Sequence, residues 1–301
     1  RVGGLLIYGI PGFKLEKHVV ERRHKLLEDG GVTFRLNVDV GTDITFEEIR
    51  EAHDAVLIAT GVYKARDIAV PGVGLGGVVP ALDYLTASNR KSLGDDVPEF
   101  ESGTLDAEGR DVVVVGGGDT AMDCVRTAIR QKAKSVTCLY RRDLANMPGS
   151  QREVANAEEE GVVFKWLSAP QAFLGDNHVR SVQAQKIHLG QPDATGRQVP
   201  QIIADSAHEI PADLVIKALG FDPEDLPVMF GAEDLAVSKW GTVDIDWRTM
   251  MTKIPGVFAA GDIVRGASLV VWGVRDGRDA AASIDSYIMA QSEAPRAALG
   301  A

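Results

Sequence analysis

The stretch DVVVVGGGDTA, residues 111–121, decides the fold. Its four valines, 112–115, form an apolar β-branched run that is typical of a strand buried on both faces. Gly116, Gly118 and Ala121 follow with G-x-G-x-x-A spacing, and residues 122–131 have the apolar periodicity of a helix. This order predicts a turn that holds a dinucleotide pyrophosphate, because the helix start offers free N–H groups and a favourable dipole. An ordinary glycine turn is the alternative interpretation.

The next predicted strand bears on which dinucleotide binds. It runs from Ser135 to Tyr140, and Arg141 and Arg142 follow at its end. An NAD site places an acidic residue near this position for the ribose 2′-hydroxyl, whereas two arginines suit a 2′-phosphate. The sequence therefore favours NADPH, with a solvated basic turn as the alternative. Asp119 is expected to cap the helix or to interact with its dipole, because a carboxylate beside a pyrophosphate is repulsive.

Composition limits the classes of protein that remain. A chain of 301 residues has room for two domains, and its formal charge of −11 argues against nonspecific nucleic-acid or anionic-membrane binding. No apolar run reaches the length of a membrane span, and the start lacks the pattern of a signal peptide. Only Cys124 and Cys138 are present, and neither they nor the histidines have metal-ligand spacing. We expect a cytoplasmic protein without a metal site in this chain.

A faint internal repeat suggests two related nucleotide-binding domains, with two unrelated α/β units as the alternative. The two copies share similar segments: the first contains EDGGVTF and HDAVLIATG, and the second contains EEEGVVF and ADLVIKALG. Two capping boxes are expected, Thr45 with Glu48 and Ser150 with Glu153. The predicted helices are 17–28, 46–52 and 151–160, and the predicted strands are 32–40, 55–59, 162–166 and 214–218. The longer second copy is expected to hold an antiparallel insert that includes residues 181–189.

A second motif lies near the C-terminus, GVFAAGDIVRGASLVVWGVRDGRDAA. Residues 257–260 predict a short buried strand, and Gly261 and Asp262 follow at the carboxyl end, where open α/β sheets bind ligands. From about Ser268 the pattern is helical through Tyr287. This stretch resembles the flavoprotein signature in which the aspartate accepts a hydrogen bond from the ribityl chain of FAD. An Asx turn is the alternative interpretation of Gly-Asp alone.

The chain as a whole resembles the small (beta) subunit of NADPH-dependent glutamate synthase. The resemblance is carried by GGLLIYGIPGFKLEK, ATGVYKARDI, ALDYLT, VVVVGGGDTAMDCVRTAIRQ, LYRRD, NMPGSQREVANAEEEGV, IHLG, DATGRQ, ADLVIKALGF and the C-terminal motif. It implies an α/β fold with two Rossmann-like domains of the two-dinucleotide flavoprotein type. It also implies hydride transfer from NADPH to FAD. Electrons would then pass through iron–sulfur clusters to a large (alpha) subunit that makes glutamate from 2-oxoglutarate and glutamine, in ammonia assimilation.

The resemblance also implies the cofactor-binding residues. Those expected at FAD are Leu5, Lys14, Val40, Thr60, Gly61, Gly261, Asp262, Ser268, Leu269 and Val270. Those expected at NADPH are Gly116, Gly117, Gly118, Asp119, Thr120, Arg141, Arg142, Ala218, Leu219 and Gly220. No catalytic side chain is expected, because hydride transfer needs positioning, exclusion of water and electrostatics rather than an acid–base pair.

The expected domains are an FAD-binding domain at 1–65 and 251–301, discontinuous and incomplete, and an NADPH-binding domain at 66–250. The family's cysteine-rich [4Fe-4S] region and first FAD-binding βαβ unit have no counterpart here, so we expect a chain that lacks this front half. The same module resembles parts of ferredoxin:NADP oxidoreductases and dihydropyrimidine dehydrogenase, which leaves the electron acceptor open. A fragment that binds NADPH without a working flavin is a further alternative.

Overall fold

The computed structural model describes residues 1–192 and 198–297, which form two compact units. The larger unit holds 1–34 and 67–220, and the smaller unit holds 35–66 and 221–301. The helices are α1 Leu5–Tyr8, α2 Lys17–Asp29, α3 Phe46–Ala52, α4 Ala81–Ser92, α5 Pro98–Glu101, α6 Asp119–Arg130, α7 Gln151–Glu159, α8 Leu226–Met229, α9 Asp262–Arg265 and α10 Val270–Ala297. The strands are β1 Val56–Ile58, β2 Lys64–Ala65, β3 Val78–Pro80, β4 Asp111–Val115, β5 Ser135–Leu139, β6 Val163–Lys165, β7 Ser168–Gly175, β8 Val179–Pro192, β9 Gln198–Ile202, β10 His208–Pro211, β11 Leu214–Lys217, β12 Phe221–Asp222 and β13 Val257–Ala259.

A parallel sheet in the order β3-β11-β4-β5-β6 forms the centre of the larger unit. The valines of β4 are all buried because the sheet is covered on both faces. Val112 and Val114 pack with residues of α4, α6 and α7, whereas Val113 and Val115 pack with the antiparallel strands β7, β8 and β10. The strand, glycine turn and helix predicted at 111–131 are thereby confirmed, and so is the antiparallel insert.

The smaller unit has two small sheets. Strands β1 and β13 pair in parallel, and β2 and β12 pair antiparallel. The interior of this unit contains Phe46, Ile58, Leu235, Val257 and Ile263 among other buried apolar residues. The capping box at the start of α3 is confirmed, since Thr45 and Glu48 exchange both of the hydrogen bonds that define it.

The domain boundaries differ from the expected ones in two segments. Residues 1–34 belong to the larger unit, where Lys14 Nζ lies 2.8 Å from Asp123 Oδ1 on α6 and the ring of Phe13 lies under Arg126 and Arg130. Residues 221–250 belong to the smaller unit, because Leu226, Leu235 and Val243 share the buried cluster of β1 and β13. Long-range packing, which local patterns do not reveal, therefore sets both boundaries.

Two local predictions are wrong. Residues 32–40 form no strand and make only an isolated bridge from Val40 to Ile44, because no described strand lies beside them to complete a ladder. Ser150 does not cap α7 with its side chain. Its backbone N–H donates to Asp119 Oδ1 at 3.1 Å, while Glu153 pairs with Arg126 at 2.7 Å. Both members of the expected box thus bind α6 instead of each other.

Candidate functional site

The carboxyl ends of three adjacent strands bring the predicted NADPH residues together. Strand β4 lies between β5 and β11 in the sheet. Gly116–Thr120 follow β4, Arg141 and Arg142 follow β5, and Ala218–Gly220 follow β11. Two backbone bonds continue the ladders beyond the strands: Gly116 N–H donates to the Leu139 carbonyl at 3.1 Å, and Ala218 N–H to the Val115 carbonyl at 2.8 Å. Residues separated by about a hundred positions therefore meet at one edge of the sheet, where parallel α/β folds bind ligands.

The three glycines of the turn differ in the space that surrounds them. Gly116 has φ +153°, and a Cβ there would lie 2.1 Å from the carbonyl oxygen of Ala218. A Cβ on Gly117 would lie 2.3 Å from the ring of Tyr140. Gly118 has open space around its Cβ direction and begins α6 without a side-chain cap. The helix start is thus accessible at Gly118 in the way that an approaching phosphate requires.

A loop after β5 lies against this turn. Gly149 N–H donates to the Gly117 carbonyl at 3.0 Å, and Ser150 N–H donates to Asp119 as described above. The Asp119 carboxylate therefore binds the start of α7, whereas the sequence predicted that it would cap its own helix. This role could not be found from sequence, because it joins residues that are thirty-one positions apart.

The two arginines differ in their surroundings. Arg141 is exposed, whereas Arg142 is half-buried and its Nη2 donates to the Gln198 carbonyl at 3.3 Å. Within the described residues, the buried Nε of Arg142 has no hydrogen-bond partner. A buried donor left unpaired is costly, so Arg142 retains capacity for an acceptor. The family motif DATGRQ falls mostly on residues 193–197, which lie outside the described residues.

The second predicted site forms in the smaller unit. The parallel pair β1 and β13 places Thr60 and Gly61 beside the turn at Gly261 and Asp262, and Ala260 N–H donates to the Ile58 carbonyl at 3.0 Å. Gly261 has φ +80°, which favours glycine. Burial raises the pKa of Asp262, while a hydrogen bond from the Ser268 backbone N–H opposes the rise. Asp262 thus lies half-buried at the end of β13.

Helix α10 starts beside this turn with an apolar exposed surface. Leu269 and Val270 are 57% and 51% exposed, although both are apolar. Helix α10 begins at Val270, close to the predicted Ser268, and extends ten residues past the expected end at Tyr287. An apolar surface at a helix start suits a flat ring that carries negative charge on one edge.

Some predicted residues lie elsewhere, and others were missed. Leu5 and Lys14 belong to the larger unit, and Val40 packs at the edge of the smaller unit's core, so their contact with FAD stays a prediction. Tyr63, which the sequence did not single out, is close enough to the Asp262 turn for that carboxylate to contribute to the rise in its pKa, which burial dominates and Glu224 also supports. Asp276 was also missed, although a charged residue on the buried side of a helix was a usable signal.

The described residues give two negative findings. Among residues 1–192 and 198–297, no helix is long and apolar enough to cross a membrane. In the same ranges, no cluster of three or more His, Cys, Asp or Glu side chains could hold a metal ion.

Comparison with known proteins agrees with this geometry. The family model for "Pyridine nucleotide-disulphide oxidoreductase" matches residues 10–294. A glutamate synthase [NADPH] small chain from Azospirillum brasilense is 66% identical over 98% of this chain, which spans 61% of that relative. A glutamate synthase [NADPH] small chain from Halomonas elongata is 46% identical over 96% of this chain, which spans 61% of that relative as well. The beta subunit of an NADP(+)-dependent formate dehydrogenase from Moorella thermoacetica is 38% identical over 97% of this chain, which spans 40% of it.

The fold is shared with a solved structure, Mycobacterium tuberculosis FprA in complex with NADPH. The TM-score is 0.77 at 19% identity, covering 97% of this chain and 76% of the other. That likeness concerns the fold alone, a two-domain α/β flavoprotein architecture. The chain spans about three fifths of the length of the Azospirillum brasilense and Halomonas elongata relatives. On the family match and the high identity across its length, the chain belongs to the pyridine nucleotide-disulphide oxidoreductases, among the small chains of NADPH-dependent glutamate synthase.

Proposed function

We propose that this chain accepts hydride from NADPH onto FAD and supplies the electrons to glutamate synthesis. The observation that carries the proposal is the pair of strand-end turns, one at Gly116–Thr120 and one at Gly261–Asp262, in a chain 66% identical to a glutamate synthase small chain. Each turn joins a buried parallel strand to the start of a helix. Such turns present N–H groups and a helix dipole to anionic cofactors.

The larger unit fits NADPH. The open space at Gly118 and the uncapped start of α6 suit the pyrophosphate, and Arg141 and Arg142 suit the 2′-phosphate. The spare Nε donor of Arg142 supports this assignment, because a charged acceptor would satisfy it. Ala218, Leu219 and Gly220 line the same sheet edge and would complete the binding surface.

The smaller unit fits FAD. Asp262 is half-buried and would accept a hydrogen bond from the ribityl chain, and Leu269 and Val270 offer apolar surface for the ring. FAD, when bound, supplies the group that accepts hydride from NADPH. The side chains of this chain would bind, orient and exclude water, and none is required to move a proton. Thr60 and Gly61, at the end of β1, would lie at the phosphates.

The electron acceptor is the finer part of the proposal. We assign it to the large subunit of glutamate synthase, reached through iron–sulfur clusters, with glutamate formed from 2-oxoglutarate and glutamine in the cytoplasm. The second candidate is the same module serving another enzyme, for example one that reduces ferredoxin. The likeness to the beta subunit of a formate dehydrogenase supports this candidate, because that similar chain is named as part of an enzyme with a different activity.

Two measurements test the function. The first is anaerobic titration of the purified chain with NADPH while the flavin absorbance band is followed, with NADH as the control. Bound flavin that is bleached by NADPH supports the proposal, and a chain that binds NADPH but no flavin, even when FAD is added, contradicts it. The second adds the large subunit, or ferredoxin, and measures glutamate formation or ferredoxin reduction. Ferredoxin reduction without glutamate formation would favour the second candidate.

A further inference from the structure

A second carboxylate, Asp276 on α10, binds the residue that ends the short helix beginning at Asp262. The Asp276 side chain is 1% exposed, and it accepts two hydrogen bonds from Arg265, at 2.6 Å from Nε and 2.7 Å from Nη2. The backbone N–H of Arg265 in turn donates to the Gly261 carbonyl at 3.0 Å. Asp276 therefore holds the residue that ends α9 and that is bonded to the residue before Asp262.

Backbone hydrogen bonds close the turn that Arg265 ends. Val264 N–H also donates to the Gly261 carbonyl at 3.0 Å, and Gly266 N–H donates to the Asp262 carbonyl at 2.7 Å. Towards α10, a Cβ on Gly261 would lie 4.0 Å from the Cα of Gly273, which precedes Asp276 by one turn of that helix. The ion pair between Asp276 and Arg265 therefore ties this turn to α10.

Two tryptophans restrict the arginine. The guanidinium carbon of Arg265 lies 4.8 Å from the ring centroid of Trp247 and 5.0 Å from that of Trp272. A planar cation held by two indoles has few orientations, so its bidentate contact to Asp276 is preorganised. Trp272 is the third residue of α10, next to the predicted ring-binding residues Leu269 and Val270. The arginine therefore connects the Asp262 turn to the helix start.

Stability alone does not account for a carboxylate at this position. Burying a charge is costly, and an apolar pair of similar volume is often equally or more stabilising than a buried ion pair. An apolar side chain, however, cannot accept the two hydrogen bonds that Arg265 donates. Orientation of the turn is what the carboxylate adds.

We propose that Asp276 is a positioning residue for the flavin site: through Arg265 it sets the direction in which Asp262 meets the ribityl chain. This inference rests on the proposed binding of FAD by the smaller unit. It assigns no contact between Asp276 and FAD itself. It predicts that FAD affinity depends on a residue whose side chain is buried beneath the turn.

The test compares three variants of the whole chain after removal of any bound flavin. Asp276→Leu removes both hydrogen bonds from Arg265, Asp276→Asn keeps an acceptor for Arg265 but loses the charge, and Asp285→Asn is the control. Asp285 lies on the same helix and is exposed. FAD affinity is measured by titration, and hydrogen exchange at the Arg265 amide, which donates to Gly261, is measured without FAD. If Asp276→Leu does not fold, the FAD affinity of Asp276→Asn decides the test.

We expect Asp276→Leu to weaken FAD binding about tenfold and to speed exchange of the Arg265 amide. Asp276→Asn should weaken FAD binding by a smaller factor while the Arg265 amide stays protected, and Asp285→Asn should match the wild type. NADPH affinity should be unchanged in all three. Unaltered FAD affinity in Asp276→Asn and Asp276→Leu overturns the inference. A wild type that binds no FAD overturns the proposed function instead, and exchange of the Arg265 amide then still shows whether Asp276 holds the turn.

Discussion

The two arginines after β5 allow the sharpest test of cofactor choice. Replacing both Arg141 and Arg142 with alanine removes two cations from the strand end that borders the glycine turn. If they bind the 2′-phosphate, only the cofactor that carries this phosphate loses contacts. We therefore expect the double variant to bind NADPH much more weakly and NADH almost unchanged.

The magnitude follows from the two environments. A hydrogen bond to a charged group is worth about 1.5–3 kcal/mol, and the exposed Arg141 belongs at the lower end of this range. Arg142 is half-buried and has an unpaired Nε donor, and the lower value is used for it too, which makes the total a minimum. Together the two contacts contribute roughly 3 kcal/mol, which corresponds to about 150-fold in the dissociation constant.

The assay is titration of the purified chain with NADPH and NADH, followed by the fluorescence of the reduced nicotinamide. Arg180→Ala is the matched control, because Arg180 lies in the same unit, is 76% exposed and forms only a 3.4 Å pair with Asp176. Raised salt should weaken NADPH binding in the wild type more than in the double variant, since fewer charged contacts remain to be screened. Equal weakening of NADPH and NADH, or no weakening of either, would refute the assignment of the arginines.

Three further predictions concern single carboxylates. Asp262→Ala removes the acceptor and should lower the flavin content per purified chain while NADPH affinity stays within about twofold, and full flavin retention would contradict the ribityl assignment. Asp119→Asn keeps an acceptor for the Ser150 N–H but removes a negative charge near the proposed phosphates, so NADPH should bind about threefold more tightly by the same titration. Arg130 and Arg126 lower the pKa of Glu160 to about 2, so its stabilisation is complete above its ordinary pKa and is lost as the pH falls toward 2. Glu160→Gln should therefore cost about 2–3 kcal/mol of unfolding free energy at neutral pH, with a smaller loss at acid pH, in denaturant titrations; an equal loss at both would contradict this ion-pair role.

The sequence by itself determined the elements whose signals are local. The valine run, the glycine spacing and the apolar periodicity after it specified β4, its turn and α6, because a strand buried on both faces and a helix need different apolar patterns. Thr45 and Glu48 specified the start of α3, since a capping box joins residues only three positions apart. Gly261 followed by Asp262 likewise marked the end of β13.

The tertiary structure decided what depends on distant partners. Residues 32–40 have strand-like composition but no described neighbour to pair with, and a strand is stable only as part of a ladder. Ser150 had the sequence of a helix cap, yet Asp119 took its backbone N–H. Asp276 became visible as a partner of Arg265 only when α10 was packed against α9. Local patterns set the backbone conformation of short segments, whereas packing between segments far apart in sequence determines which polar groups meet.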